Sequence, residues 1–249
     1  MKIRFLGCGH GVPEVDRFCS CAVIEVGESL YLIDAGAPAA DLLTRYGYNF
    51  NNLRAFFNTH SHSDHLTGVI SLVDLIHWYH KKASLDLYLP EEAPKNAIIN
   101  YISSLYDTPP ATDRLHFHVF DESFVYQDEN IKVSAFPTMH LKRAASARPA
   151  YGFVIEADRK RVVFSGDLSN RLTHQDFPKI ALEEEVDLLI CEMAHFNISD
   201  ITPYLEKCKA KEIWFNHIGY TEPVENIAAL DGKFGYSVKI AHDGDLIEL

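Results

Sequence analysis

The chain has 249 residues, 47% of them hydrophobic, and sets 23 Lys and Arg against 35 Asp and Glu for a formal charge of -12. That composition suits one large globular unit, or two half-domains sharing a core, and excludes a disordered or fibrous chain. The acidic balance argues against a sequence-independent grip on polyanions, which needs clustered Lys and Arg.

Five cysteines with no CxxC pair argue against a disulfide framework or a thiolate zinc site. The opening MKIRFLGCGHGVPE lacks the charged and apolar regions of a secretory signal. No run approaches the ~18 apolar residues of a membrane span, so a cytoplasmic location is expected. In chain order, β-rich segments come first: KIRFLGCG, CAVIEVGES and LYLIDAG, the last two joined by a Gly-containing turn as in a hairpin. A helix follows over 38–46. Leu66, Val69, Ile70, Val73, Ile76 and His77 then recur at helical spacing and predict another over 66–82. Strands are expected near 85–89, 115–119, 131–136, 151–156, 161–165, 187–191, 212–216 and 237–241, with helices near 94–105, 202–209 and 223–230. No repeat or linker marks a boundary, so 1–249 reads as a single domain. Helices between strands in both halves imply α/β layering, while the opening hairpin argues against a purely parallel doubly wound sheet. Two sheets flanked by helices satisfy both.

Five apolar runs share a feature that packing alone does not require. LRAFFNTH ends at His60, IKVSAFPTMH at His140, RVVFSGD at Asp167 and EIWFNH at His217, and DLLICEM passes through Glu192. In open α/β sheets ligands bind in the crevice outside the C-terminal strand ends, so these distant residues would converge there. The stretch from His60 to His65 adds three histidines and one carboxylate within six positions. In an extended segment His60 and His62 point to one side and can clasp one ion, while Asp64 and His65 turn toward a second. Imidazole and carboxylate without thiolate suit Zn²⁺, with Mn²⁺ or Fe also compatible. Asp167 can bridge two divalent metal ions.

These residues resemble the metallo-β-lactamase superfamily, whose HxHxDH signature stands here as His60-Ser61-His62-Ser63-Asp64-His65. Within it, FLGCGHGVP, YLIDAG and AFFNTHSHSDHLTGVISL resemble the ribonuclease Z-like branch and the related phosphoribosyl cyclic phosphodiesterases. His140, PAYGFVIE, SGD at 165–167 and FNHIG at 215–219 follow in the same order. The resemblance implies the αββα sandwich of the metallo-β-lactamase fold, two mixed β-sheets flanked by helices. It assigns His60, His62, His140 and Asp167 to one metal, and Asp64, His65, Asp167 and His217 to the other. It also places Asp34 near the metal loop, where it would orient a ligand histidine. Two departures matter. The long Gly/Pro-rich arm with which tRNA-processing members grip tRNA is replaced by the short YGFVIEADRKRVVFSGD. The branch's HEAT-like motif reads Cys191-Glu192-Met193-Ala194-His195, and its downstream His-Ser-Thr motif is not recognisable.

The expected function is a dinuclear metal-dependent hydrolase, a phosphodiesterase on a small or cyclic phosphate ester, with a metal-bridging hydroxide as nucleophile. Asp64 would orient or deprotonate that nucleophile, His195 would protonate the leaving oxygen, and Glu192 would orient or charge the His195 ring. The competing readings are a lactone or thioester hydrolase, a ribonuclease Z-like endoribonuclease and, outside enzymes, a metal-binding regulatory or scaffold protein. The expected partner is a small molecule rather than nucleic acid or a membrane, and a homodimer is compatible. Lys142, Arg143 and Arg148 are candidate contacts for a substrate phosphate, with a solvated loop as the alternative. The run Arg159-Lys160-Arg161 reads as a solvated hairpin turn. His10 reads as a turn residue, His77 and His80 as decoration of a helix end, and His116 and His118 as one exposed strand face. The HWYH stretch reads as ordinary packing.

Overall fold

The computed structural model describes residues 1–143 and 146–249, and the side chains of Arg143 and Ser146 also lie outside the described residues. Arg143, as a candidate phosphate contact, therefore falls there.

The first sheet begins with β1 (Lys2–Gly7), β2 (Cys21–Val26) and β3 (Ser29–Ile33), which pair antiparallel, with β16 (Leu246–Glu248) on the edge beside β1. From β3 onward the pairing turns parallel, through β4 (Leu53–Phe57), β5 (Leu85–Leu89) and β6 (Leu115–Val119). Parallel neighbours need crossovers. These carry α1 (Ala39–Arg45), α2 (Ser63–Leu66) with α3 (Val69–Trp78), and α4 (Glu92–Tyr106). The second sheet has the same grammar. Its strands β7 (Val125–Gln127), β8 (Lys132–Pro137), β11 (Tyr151–Ala157) and β12 (Lys160–Phe164) pair antiparallel. Then β13 (Leu188–Met193), β14 (Glu212–Ile218) and β15 (Ser237–Ile240) continue in parallel. Its crossovers carry α5 (Lys179–Glu183), α6 (Ile198–Leu205) and α7 (Val224–Ala228). A small ladder of β9 (Lys142–Arg143) and β10 (Ser146–Ala147) stands apart. Among the described residues each large sheet is mixed and has seven strands.

Side-chain alternation decides how these layers stack. In β4, Ala55 and Phe57 face the other sheet while Phe56 faces the helices. In β12, Val162 and Phe164 point to the central layer and Val163 to the outer one. The central core thus joins Ile3, Phe5, Ile24 and Phe57 to Phe153, Ile155, Val162 and Ile190. Leu72, Val73, Ile76 and Ile102 seal the outside of the first sheet, and Ala181, Ile201, Leu205 and Ile227 the outside of the second. Strands covered on both faces read as near-continuous apolar runs, which explains LRAFF and LLIC. The fold is the expected αββα sandwich.

Three local differences from the sequence reading have physical causes. The helix expected over 66–82 is the shorter α3, Val69–Trp78, and Leu66 instead ends α2, the two being separated where the Gly68 N–H donates to Ala35 O at 2.8 Å. A Cβ at Gly68 would lie 2.6 Å from Gly36 O, so only glycine permits this approach. The helix expected over 202–209 starts earlier, at Ile198, where Asn197 and Asp200 form a capping box. The face of β6 expected to be exposed is partly covered: His118 Nε2 lies 2.7 Å from Asp86 Oδ1 and its ring stacks on Tyr88. Where the tRNA-gripping arm would stand, β11 and β12 are joined by Asp158 and Arg159 alone, with φ of 51° and 60°. Two left-handed residues make a primed turn that matches strand twist. Among the described residues no helix is long and apolar enough to cross a membrane.

Candidate metal centre

The site lies beyond the C-terminal ends of strands from both sheets. Directly after β3, Asp34 takes a left-handed φ of 56° and is buried. Its Oδ1 accepts from Asn58 Nδ2 at 2.9 Å and from the Thr59 N–H at 2.8 Å. Its Oδ2 accepts from the Thr59 hydroxyl at 2.8 Å and from His65 Nδ1 at 2.7 Å. The Thr59 hydroxyl in turn accepts from His60 Nδ1 at 3.0 Å. Both rings are thereby fixed with a proton on Nδ1 and Nε2 turned inward, the usual service of an outer partner to a ligand histidine. The backbone holds the loop in place as well: Ala35 N donates to His65 O at 2.8 Å. His62 precedes α2, which presents Asp64 and His65.

The second sheet supplies the opposite wall. His140 follows β8 and donates from Nδ1 to Leu168 O at 3.2 Å, which brings its Nε2 to 3.2 Å from His62 Nδ1. Asp167 follows β12 and is almost wholly enclosed. Its Oδ2 lies 3.6 Å from His60 Nε2, 3.6 Å from His140 Nε2 and 3.4 Å from His217 Nε2. Its Oδ1 lies 3.5 Å from His65 Nε2. His217, in β14, meets Ser20 Oγ through Nδ1 at 2.9 Å and approaches Asp64 Oδ2 at 3.8 Å through Nε2.

Two sets of potential ligand atoms result, each with its members within 4.8 Å of one another: His60, His62, His140 and Asp167, and Asp64, His65 and His217. Asp167 stands between them. The structure also groups Asp167 and His217 with His195, a third combination that the spacing did not suggest. Three atoms aimed into the cluster, His60 Nε2, His65 Nε2 and Asp167 Oδ1, are buried without a hydrogen-bond partner. Buried polar atoms normally have one, so convergent lone pairs without donors fit a cation. The donor set of imidazole nitrogen and carboxylate oxygen fits a divalent metal.

The charges in the cluster act strongly on one another: burial opposes charge on His65, but Asp167 and Asp34 raise its ring well above the usual imidazole range. Burial, followed by the charge of His65, pushes His60 well below the usual imidazole range. Burial opposes ionisation of Asp167, yet His217, His65 and His60 hold its carboxyl well below the usual carboxylate range. Burial also opposes ionisation of Asp64, and His65 beside it still brings it down to about 2.

Glu192, buried in β13, works mainly on backbone. It accepts from Leu168 N at 2.8 Å, Ala194 N at 2.8 Å and His195 N at 3.1 Å, and its Oε1 holds His195 Nδ1 at 2.9 Å. Burial disfavours charge on His195, but Glu192 outweighs it and raises the ring to about 9. His195 lines an open crevice of about 390 Å³ together with His62, Asp64 and His217. His10 and Tyr220 form the rim, edge to face with centroids 4.7 Å apart. His10 is thus both the turn residue expected, accepting from Val12 N at 3.0 Å, and a wall of the crevice. No sequence pattern signalled Tyr220, Thr59 or Ser20.

The structure also places the other residues singled out in the sequence. Arg148 forms a two-pronged ion pair with Glu91, whose Oε2 also accepts from Ser61 Oγ at 3.0 Å, and Lys142 is exposed. His77 accepts from the Ala111 N–H at 2.9 Å, His80 stacks on Phe50, and Trp78 packs edge-on against Tyr106.

Known proteins share this fold. The metallo-β-lactamase fold protein YhfI of Bacillus subtilis superposes with a TM-score of 0.78 at 19% identity, covering 99% of both chains. The human short-form tRNase Z, ELAC1, gives 0.72 at 20% identity over 100% of this chain and 99% of that one. A diphosphatase from the PhnP family gives 0.73 at 19% identity over 100% and 96%. In sequence, Ribonuclease Z of Pyrococcus furiosus is 24% identical over 227 residues, 91% of this chain and 70% of that protein. Ribonuclease Z of Bacteroides fragilis is 26% identical over 144 residues, so the match spans 56% of this chain and about half, 46%, of that relative. The chain is thereby placed in the metallo-β-lactamase superfamily, in its ribonuclease Z-like branch. A family profile matches residues 1–240, and the chain belongs to the family described as Anti-Pycsar protein Apyc1.

Proposed function

We propose that the chain is a single-domain, dinuclear metal-dependent hydrolase that cleaves a small or cyclic phosphate ester. The observation that carries this reading is that His60 Nε2, His65 Nε2 and Asp167 Oδ1 are buried without partners, His60 and His65 in two adjoining ligand sets with Asp167 between them. His60, His62, His140 and Asp167 would hold one ion, and Asp64, His65, Asp167 and His217 the other, with Zn²⁺ suiting the donors best. Bound there, the metals would supply a water acidified from a pKa of 15.7 to about 7 and positive charge for phosphoryl oxygens.

The remaining work falls to the chain's own side chains. Asp34 and Thr59 hold the two imidazoles, so that little reorganisation is left for the reaction. Asp64, beside the crevice, orients the attacking water. His195 keeps Nδ1 on Glu192 and carries its transferable proton on Nε2, for the leaving oxygen. Phosphate esters are favoured by the diphosphatase of the PhnP family and the ribonuclease Z relatives. The two-residue turn after β11 and the charge of -12 favour a small ester over RNA.

The test is metal-reconstituted protein offered bis(p-nitrophenyl) phosphate, a cyclic nucleotide, a lactone, a thioester and a tRNA precursor. The expected result is phosphodiester turnover, abolished by chelator and restored by Zn²⁺. Turnover of the lactone or thioester alone would move the assignment to acyl chemistry. Two bound metals with no turnover at all would favour the scaffold reading.

A further inference from the structure

His140, Asp167 and His195 all stand past the ends of their strands, on loop backbone. One segment, residues 169–176, reaches all three. Asp176 Oδ2 accepts from the Met139 N–H at 2.8 Å, next to His140, and from the Ser169 N–H at 2.8 Å, two residues after Asp167. Its Oδ1 accepts from Ser169 Oγ. Arg171 N donates to His195 O at 2.8 Å. The segment is anchored by Leu172 and Phe177, both buried, and it passes through left-handed backbone at Arg171, Leu172 and Gln175. Residues other than glycine seldom hold that conformation unless their surroundings over-determine it.

We propose that Asp176 is a positioning residue, one carboxylate that sets the spacing of His140 and Asp167 by clamping the backbone beside each. The inference rests on the dinuclear reading above. A carboxylate accepting from two backbone N–H groups forms charge-assisted bonds, which are short and directional. Met139 and Asp176 are 37 residues apart, so the clamp joins two loops that chain connectivity alone leaves independent. The ring of His140 is then aimed by Leu168 O, directly before the clamped Ser169. Asp176 touches neither ion nor substrate and acts through the spacing of His140 and Asp167, which share one ligand set, while Asp167 also stands toward the other.

The experiment is zinc titration against a competing chromophoric chelator, paired with bis(p-nitrophenyl) phosphate turnover at saturating Zn²⁺. Wild type should take up two equivalents. Asp176→Ala should weaken the equivalent held with His140 about 10- to 100-fold, the usual cost of losing an outer partner, and the other, which shares only Asp167, by a smaller factor. It should also lower kcat at saturating zinc by more than it changes KM. Asp176→Asn should restore most of the affinity, because its Oδ1 still accepts from both N–H groups and its Nδ2 can donate to Ser169 Oγ. Ser169→Ala should weaken the same equivalent by a smaller factor, and it decides the matter if Asp176→Ala does not fold. Wild-type affinity for both equivalents in Asp176→Ala, or in Ser169→Ala where the first is unfolded, overturns the proposal. So does equal damage in Asp176→Asn and Asp176→Ala, which would assign the effect to charge. A wild-type protein that binds fewer than two metals would instead sink the dinuclear reading, an outcome separable from these.

Discussion

His195 and Glu192 divide their labour visibly: one carboxylate holds three backbone N–H groups and one ring nitrogen, and the ring lines the crevice. If His195 protonates the leaving oxygen, His195→Ala should lower kcat by about 10²- to 10⁴-fold while both zinc equivalents stay bound. Loss of one equivalent would make His195 a ligand, as its grouping with Asp167 and His217 allows. Glu192→Ala should do more damage, because it frees the Leu168 N–H beside Asp167 as well as the ring; the check is metal content measured alongside kcat. Residues at this scale were legible where chemistry coincides with a strand end. His60, His140, Asp167 and His217 each close an apolar run, and the structure gathers them. Thr59, Ser20 and Asp176 act through a hydroxyl or through someone else's backbone, and such contacts leave no periodicity or spacing in a sequence.

The turn between β7 and β8 is built on Asp128, which accepts from Tyr31 Oη at 2.6 Å, Tyr126 Oη at 2.8 Å, Asn130 N at 2.8 Å and Ile131 N at 2.9 Å. Burial would raise its pKa, but Tyr31 and the other donors lower it below the carboxylate value of 3.8. A carboxylate lowered on folding stabilises above its unfolded pKa and loses that contribution as pH falls through its folded one. Asp128→Ala should therefore cost about 1–3 kcal/mol at pH 7, leaving Tyr31 Oη short of a partner. The gap to wild type should shrink as pH drops below about 4. Urea midpoints at pH 7 and pH 3 measure it, and a constant gap would contradict the sign. The extent of elements was readable from apolar periodicity, as the exact match of 85–89 and 115–119 shows. Their ends were less so. The break at Gly68 is set by a carbonyl on another element, and the early start of α6 by the Asn197–Asp200 cap, whose letters were in view but whose pairing depends on backbone geometry.

At the scale of the molecule, charge and topology act together. The proposed preference for a small ester rests on a net charge of -12 and on the two-residue turn at Asp158–Arg159. Fluorescence anisotropy with a labelled tRNA precursor at physiological salt should show no saturation below about 10⁻⁴ M, the weak edge of non-specific binding. Tight, salt-sensitive binding would restore the nuclease reading. The layer order was legible because strands covered on both faces are apolar throughout; the pairing order within each sheet was not, since it depends on contacts far apart in the chain. Each sheet runs antiparallel and then parallel, and the proposed ligands come from both: His60, His62, Asp64 and His65 from the first, His140, Asp167 and His217 from the second. Chelation should therefore lower Tm in a single transition. An ion held at a thousandfold excess over Kd stabilises by about 4 kcal/mol, or roughly 10 °C in a chain of this size. Two separate transitions would mean that the sheets do not share the ions. During synthesis the same arrangement imposes a schedule: the cage cannot close until His217 has left the ribosome. Every nascent chain that stops short of His217 carries the proposed ligand set incomplete.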